Sequence, residues 1–112
     1  MKEPKRWRPG DRAELKVEIT DQLVREFSEW SGDKNPLHLD AKYAESTRFH
    51  RRVAHGMSFG ALFSRLIGMN IPGPGALWAS QSFKFLKPVF IGDELLLSVE
   101  VIDFSQATGL MN

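Results

Sequence analysis

The chain of 112 residues contains no cysteine, which excludes a disulfide framework, a thiolate zinc site and a cysteine nucleophile. It also lacks an apolar run of about 18 residues, the length that a transmembrane helix needs. Neither sign of charge is in clear excess, because 15 Lys and Arg residues oppose 14 Asp and Glu residues, for a formal net charge of +1. This balance argues against nucleic acid or an anionic membrane as the main partner.

What is present predicts one soluble domain over residues 1–112. The length suits a single core, and the hydrophobic share of 42% is too high for a disordered chain. The charged N-terminus, MKEPKRWRPGD, never reaches an apolar stretch, so we expect no signal peptide there and a cytoplasmic location. Residues 1–10 are predicted to form a flexible arm.

Two periodicities follow one another in the first third of the chain. Residues 12–20 alternate between apolar and polar side chains, which predicts a half-buried strand. Residues 20–31 switch to helical spacing, with Thr20 or Asp21 as the N-cap and Gly32 as the end. The apolar stripe of this helix is predicted to contact the core through Leu23, Val24, Phe27 and Trp30.

The rest of the chain predicts an α+β fold. Asp40 suits the N-cap of a short helix, and residues 56–69 are apolar on nearly all sides, which predicts a buried helix. Strands are expected at 77–87 and 94–103, with a turn at Gly92-Asp93. An antiparallel sheet wrapped on one long central helix satisfies this order.

The loop predicted over residues 32–39 is the first candidate site. Asp33 and His38 flank Pro36, and a carboxylate near an imidazole can hold and activate a water molecule. Asn35 can brace the loop through local backbone hydrogen bonds. An ordinary surface turn has the same composition, so the residues alone leave both readings open.

The start of the apolar helix is the second candidate site. The first backbone N–H groups of a helix lack internal partners, and Gly56 would let a carbonyl approach them as an oxyanion hole. Alternatively, Gly56 only relieves crowding while His55 packs or caps the helix. Ser64 either reaches the same helix face or bonds the preceding turn. His50 and His55 are not spaced as a helical metal pair, so we expect no metal site.

The string GDKNPLHLDAKYA at 32–44, followed by VAHGM at 53–57, resembles the MaoC-like dehydratase family, and within it the (R)-specific enoyl-CoA hydratases. The resemblance spans about residues 10–103 and implies a hot-dog fold, in which an antiparallel sheet curls around one long helix. It implies syn hydration of a trans-2-enoyl-CoA to a (3R)-hydroxyacyl-CoA and the reverse dehydration, without a cofactor.

The resemblance also implies roles for individual residues. Asp33 and His38 would be the dyad that activates water, and Asn35 and His55 are predicted to belong, with Gly56 and Ser64, to the oxyanion and substrate-binding part of the site. The Gly56 N–H would bond the thioester oxygen, and Ser64 would shape or polarise the site. By charge alone, the candidates for binding the phosphates of CoA are Arg48, Arg51, Arg52 and Lys84.

Two departures from the family pattern carry further expectations. Arg52 stands where the family often has proline, which is expected to loosen the loop and add charge at the site mouth. The resemblance also implies two further strands beyond residue 103, which would lie between strands 77–87 and 94–103 in the family sheet and which we expect this sequence to lack. Strands 77–87 and 94–103 could pair directly, a partner chain could cover the unpaired edge, or a shortened chain could rely on oligomerisation. We therefore predict a homodimer or larger assembly.

Three other functions remain open at this point. The chain could be a non-catalytic acyl-CoA-binding or interaction module that has lost part of the scaffold. A hot-dog thioesterase usually places its acid elsewhere, and nucleic-acid binding through the RFHRR patch fits poorly with a nearly neutral chain.

Overall fold

The computed structural model describes residues 6–112. It confirms the α+β class, with elements in the order β1 (Arg12–Glu18), α1 (Asp21–Ser31), α2 (Pro36–Leu39), α3 (Ala41–Glu45), α4 (Ser58–Met69) and β2 (Glu94–Glu100). Within these residues no helix combines the length and the apolar character needed to cross a membrane.

Strands β1 and β2 form an antiparallel pair whose register puts Leu15 opposite Leu97 and Val17 opposite Leu95. These side chains share one face, so each cross-strand pair adds to the core beneath the sheet. The predicted turn is confirmed, because Asp93 N donates to Phe90 O at 3.1 Å and Gly92 has a φ of 98°.

The predicted N-terminal arm is attached to the fold at its C-terminal end, around Gly10. Gly10 N donates to Val101 O at 2.8 Å, and Arg8 N donates to a carboxylate oxygen of Asp11 at 2.9 Å. Residues 8–11 therefore form a turn that leads into β1, and residues 1–5 lie outside the described residues.

Helix α1 begins and ends as predicted. The Thr20 hydroxyl accepts from Leu23 N at 3.0 Å, and Gly32 ends the helix with a φ of 80°. Its inward face consists of Val24 and Ser28, whereas Trp30 is 83% exposed. The expected core contact of Trp30 is thus wrong, because six residues after Val24 the helix has turned about 120° away from the core.

Helix α4 packs against the sheet and begins at Ser58, two residues later than predicted. Leu66 is buried, and Phe59 and Leu62 pack against the buried cluster of Ile19, Val24 and Ala54. The opposite side of α4 is exposed at Ser64, Arg65 and Met69, so the expected burial on nearly all sides is wrong for this chain.

The predicted strand at 77–87 does not form a ladder, because no strand among residues 6–112 pairs with it. Direct pairing with the last strand is not observed, since the described sheet contains only β1 and β2. The period-2 pattern nevertheless sets the side-chain directions. The rings of Phe83 and Phe85 lie over Gly60 and Gly56, at 3.2 and 3.0 Å from the positions that a Cβ atom would occupy.

Candidate active site

The loop after α1 contains one helical turn, α2, which the sequence analysis treats as irregular. Asn35 caps this turn, because its Oδ1 accepts from Leu37 N at 3.0 Å, and Pro36 follows at a position where no N–H is needed. Asn35 N also donates to Oδ1 of Asp33 at 3.2 Å. The predicted bracing role of Asn35 is therefore confirmed.

His38 sits in the last part of α2, and its ring is fixed by the segment that precedes α4. Its Nδ1 lies 2.6 Å from the main-chain oxygen of Val53. A carbonyl oxygen can only accept, so Nδ1 carries the hydrogen and the neutral ring presents a lone pair at Nε2. Val53 N in turn donates to Leu37 O at 3.3 Å, which ties the two segments together on both sides of the ring.

His55 is 2% exposed and supports the loop from below. Its Nε2 donates to the main-chain oxygen of Asp33 at 3.0 Å, which also accepts from the Ser28 hydroxyl at 2.6 Å. The His55 ring stacks on the His38 ring with centroids 3.8 Å apart and contacts Phe27 at 4.8 Å. Burial lowers the pKa of His55, and a positive charge on His38 would lower it further, so the neutral form is favoured.

Three titratable groups converge here: a carboxylate oxygen of Asp33 and one ring nitrogen each of His38 and His55 lie within 4.8 Å of one another. One water that bonds two such groups with ordinary geometry spans about 4.6 Å between them. The spacing of Asp33 and His38 therefore allows both to bind a single water molecule.

The same cluster is a donor set that a metal ion could use, and the sequence analysis, which considered His50 with His55, does not anticipate it. Carbonyl oxygens already engage Nδ1 of His38 and Nε2 of His55, while Nδ1 of His55 is buried without a partner among the described residues. Nε2 of His38 and the Asp33 carboxylate remain accessible. Two donors are fewer than the three protein ligands of catalytic zinc sites.

A cavity of about 520 Å³ adjoins this cluster and brings His38 together with Gly56 and Phe85. Gly56 precedes α4, and its N–H donates to no acceptor among the described residues. An unpaired N–H on the cavity wall can bond a carbonyl oxygen that gains negative charge. A Cβ atom at this position would lie 3.0 Å from the Phe85 ring, so a larger residue would require that ring to shift.

Comparison with known proteins identifies the family, because the model of the MaoC like domain matches residues 8–110. The chain belongs to the MaoC-like domain family. The (R)-specific enoyl-CoA hydratase of Aeromonas caviae is 44% identical over 92 residues, which cover 82% of this chain and 69% of that protein. The 3-hydroxybutyryl-CoA dehydratase of Methylorubrum extorquens is 44% identical over 89 residues, which cover 80% of this chain and 57% of that protein.

Solved structures lead to the same fold. The (R)-hydratase from A. caviae, described as involved in PHA biosynthesis, aligns with a TM-score of 0.86 at 40% identity. The alignment covers 89% of this MaoC-like domain and 76% of that chain. The fold is the hot-dog fold of MaoC-like hydratases, which confirms the predicted family and fold.

Not every predicted site residue of the MaoC-like domain faces the cavity. Gly56 and His38 line it, whereas Asp33 lies beside His38 outside the wall, and Asn35 and His55 bond the loop that carries Asp33. Ser64 is exposed on α4 and is not part of the cavity wall, so its role stays a prediction.

Two residues of the site are missed by the sequence analysis. Ser28 has a signal that could have revealed it, since a serine stands four residues after Val24 on the inward face of α1. The Val53 carbonyl has no such signal, because any residue would supply the same oxygen.

Arg52 corrects an expectation about this MaoC-like domain. Its Nε donates to the main-chain oxygen of His38 at 2.7 Å, and its Nη1 lies 2.7 Å from a carboxylate oxygen of Asp21. The side chain is only 14% exposed and does not line the cavity. The expected loosening and added charge at the site mouth are therefore wrong, because Arg52 braces the loop and is neutralised by Asp21.

Proposed function

We propose that this protein catalyses the (R)-specific hydration of trans-2-enoyl-CoA thioesters to (3R)-hydroxyacyl-CoA, and the reverse dehydration. The observation that carries the proposal is the convergence of the Asp33 carboxylate and a His38 ring nitrogen within 4.8 Å. The names of the two relatives support the reaction class. Both share more than two fifths of the aligned residues with this chain.

In the proposed hydration, Asp33 and His38 hold one water molecule between them. The dyad takes a proton from this water as its oxygen attacks C3, and the π bond between C2 and C3 breaks. The dyad then returns the proton to C2 on the same face, so both groups end in their starting protonation states. The thioester oxygen becomes enolate-like in between, and the Gly56 N–H bonds it at that stage.

The tautomer of His38 supports its part in this scheme. Because Nδ1 is committed to the Val53 carbonyl at 2.6 Å, the lone pair at Nε2 is free to accept a proton. The Asp33 carboxylate is exposed beside it, and its main chain is held by Ser28 and His55. Restraint of this kind keeps both groups in position during the reaction.

The test is the hydration of crotonyl-CoA, followed at the enoyl absorbance, with chiral analysis of the 3-hydroxy product. Asp33→Asn and His38→Ala should each lower kcat by about two to four orders of magnitude. His50→Asn is the matched control, because His50 is exposed and its positive φ of 62° suits asparagine. Binding of crotonyl-CoA without turnover would favour the non-catalytic module instead, and turnover by both dyad variants would refute the residue assignment.

We also propose that the protein acts as a homodimer or larger assembly, and this part is supported by its apolar surface. Leu77, Trp78, Phe85 and Leu86 are exposed along a segment whose backbone has no strand partner among residues 6–112. Such a row of apolar side chains and free backbone groups favours association. Light scattering should give at least twice the chain mass, and a stable folded monomer would contradict the proposal. The cytoplasmic location stays a prediction.

A further inference from the structure

The wall of the cavity beside His38 carries charge of one sign. Arg48 and Lys87 both line it, and no carboxylate does. Both side chains belong to exposed residues, and no described carboxylate lies within 4.0 Å of either. The remaining wall is mostly apolar, and among the described residues that line it these two side chains carry a permanent positive charge.

The two cations come from segments that are held side by side. Ala54 N donates to Val89 O at 2.8 Å, and Val53 forms an isolated antiparallel bridge with Phe90. Arg48 is steered further by Phe49, since its guanidinium lies 4.8 Å from the ring centroid of that residue, which also lines the cavity. The backbone that carries each cation is thus anchored, while both charged ends reach solvent.

We infer that Arg48 and Lys87 bind the phosphate at the end of the pantetheine arm of the thioester substrate. A guanidinium and an ammonium group beside an apolar channel suit a ligand with an apolar acyl arm and a phosphate. The inference rests on the proposed function and names the part of the substrate that this wall recognises. The phosphate is common to CoA and to a carrier protein that bears phosphopantetheine, so either source would satisfy the pair.

The other basic residues that charge alone suggested do not line this cavity. Arg52 is paired with Asp21, and the Arg51 guanidinium lies 3.7 Å over the Phe90 ring. Lys84 is not part of the cavity wall and alternates with Phe83 and Phe85, which face α4. Of the four residues that the sequence suggested for binding phosphate, only Arg48 lines the cavity. Lys87, which the sequence did not suggest, is the second cation there.

The experiment compares crotonyl thioesters of CoA, of phosphopantetheine, of an acyl carrier protein and of pantetheine without phosphate. Arg48→Gln and Lys87→Gln should each raise KM by about three- to tenfold for the three phosphate-bearing substrates, with kcat nearly unchanged. The KM for the pantetheine thioester should not change. Lys84→Gln and Arg65→Gln are the controls, because both residues are exposed and lie outside the cavity wall.

Several outcomes would overturn the inference. They are an equal rise in KM with and without the phosphate, a loss confined to CoA, or no change in either variant. If the protein turns over none of the thioesters, the proposed function fails, and calorimetric titration with CoA and with pantetheine decides this inference alone. The inference is supported if both variants bind CoA more weakly than the native protein does but bind pantetheine equally well. It is refuted if both variants bind CoA as tightly as the native protein does.

Discussion

One partly buried side chain, Arg52, joins the carboxylate of Asp21 to the backbone of His38. The Arg52–Asp21 distance is 2.7 Å, and the hydrogen bond from Arg52 Nε to His38 O is also 2.7 Å. The next residue, Val53, accepts from the His38 ring. Residues 52–53 therefore hold His38 by its main chain and by its imidazole, and they link both to the first turn of α1.

This linkage predicts that Arg52 is a positioning residue for the proposed dyad. Arg52→Gln should lower kcat for crotonyl-CoA by about tenfold, because a small displacement of His38 misaligns the proton transfer. The KM should stay within about twofold, since Arg52 does not line the cavity. Arg52→Lys should recover part of kcat, and steady-state kinetics of the three proteins measure the split between kcat and KM.

Arg25 offers the matched control for this prediction. It contacts the same Asp21 carboxylate at 3.0 Å but makes no contact with His38. Arg25→Gln should therefore leave kcat unchanged. Equal losses of kcat in the Arg25 and Arg52 variants would mean that the Asp21 charge, rather than the brace on His38, matters for turnover.

Much of the fold could be predicted from the sequence, because its signals are local. The alternation around Leu15 and Leu97 and the caps at Thr20 and Gly32 correspond to the observed elements. The strand expected at 77–87 failed for a non-local reason, because a strand needs a neighbour's hydrogen-bonding groups and residues 6–112 offer none there. Its alternation still gave the correct side-chain directions for Phe83 and Phe85.

The candidate site was predicted less completely, because side-chain identity does not reveal which backbone groups hold it. The motif pointed to Asp33 and His38, but the carbonyl that fixes the His38 tautomer belongs to Val53. The destination of Arg52 also depends on Asp21, which is 31 residues away in sequence and comes near only after folding. The effect of arginine at position 52, where the family often has proline, could therefore not be predicted without knowledge of its contact with Asp21.

His55 predicts how stability depends on pH. Burial lowers the pKa of His55 in the folded protein below the ordinary histidine value of 6.5, so the unfolded chain binds more protons between the two pKa values. The free energy of unfolding should therefore fall as pH decreases below about 6.5. His55→Gln keeps a donor for the Asp33 carbonyl without a titrating ring, and it should flatten this decline in urea titrations between pH 5 and 8.

The exposed His50 separates this effect from a general loss of histidine. His50→Asn should retain the full decline of the native protein, because the His50 side chain is exposed. The Asp21 ion pairs act in another window: Arg52, and then Arg25, lower the pKa of that carboxyl below 3.8, so their contribution is lost only at more acidic pH. A decline that persists in His55→Gln would contradict the assignment to His55.

Two neighbouring leucines test the face of the sheet. Leu97 is 4% exposed beneath the sheet, and Leu96 is 59% exposed on the other face. Leu97→Ala should lower the free energy of unfolding by about 2–4 kcal/mol, since it removes buried methyl groups and leaves a cavity. Leu96→Ala should change it by less than about 1 kcal/mol. Equal effects in chemical denaturation would indicate that a partner covers Leu96 in solution.

Two glycines of α4 test what the aromatic segment does to the helix. A Cβ at Gly68 would meet open space, so Gly68→Ala should raise the free energy of unfolding by up to about 1 kcal/mol through helix propensity. A Cβ at Gly60 would lie 3.2 Å from the Phe83 ring, so Gly60→Ala should gain less or nothing. In a protein that already carries Phe83→Ala, the ring is absent. There, adding Gly60→Ala should raise the free energy of unfolding about as much as Gly68→Ala does in the native protein, as measured by chemical denaturation. Equal stabilisation by both glycine variants in the native background would mean that Phe83 does not rest on α4 in solution.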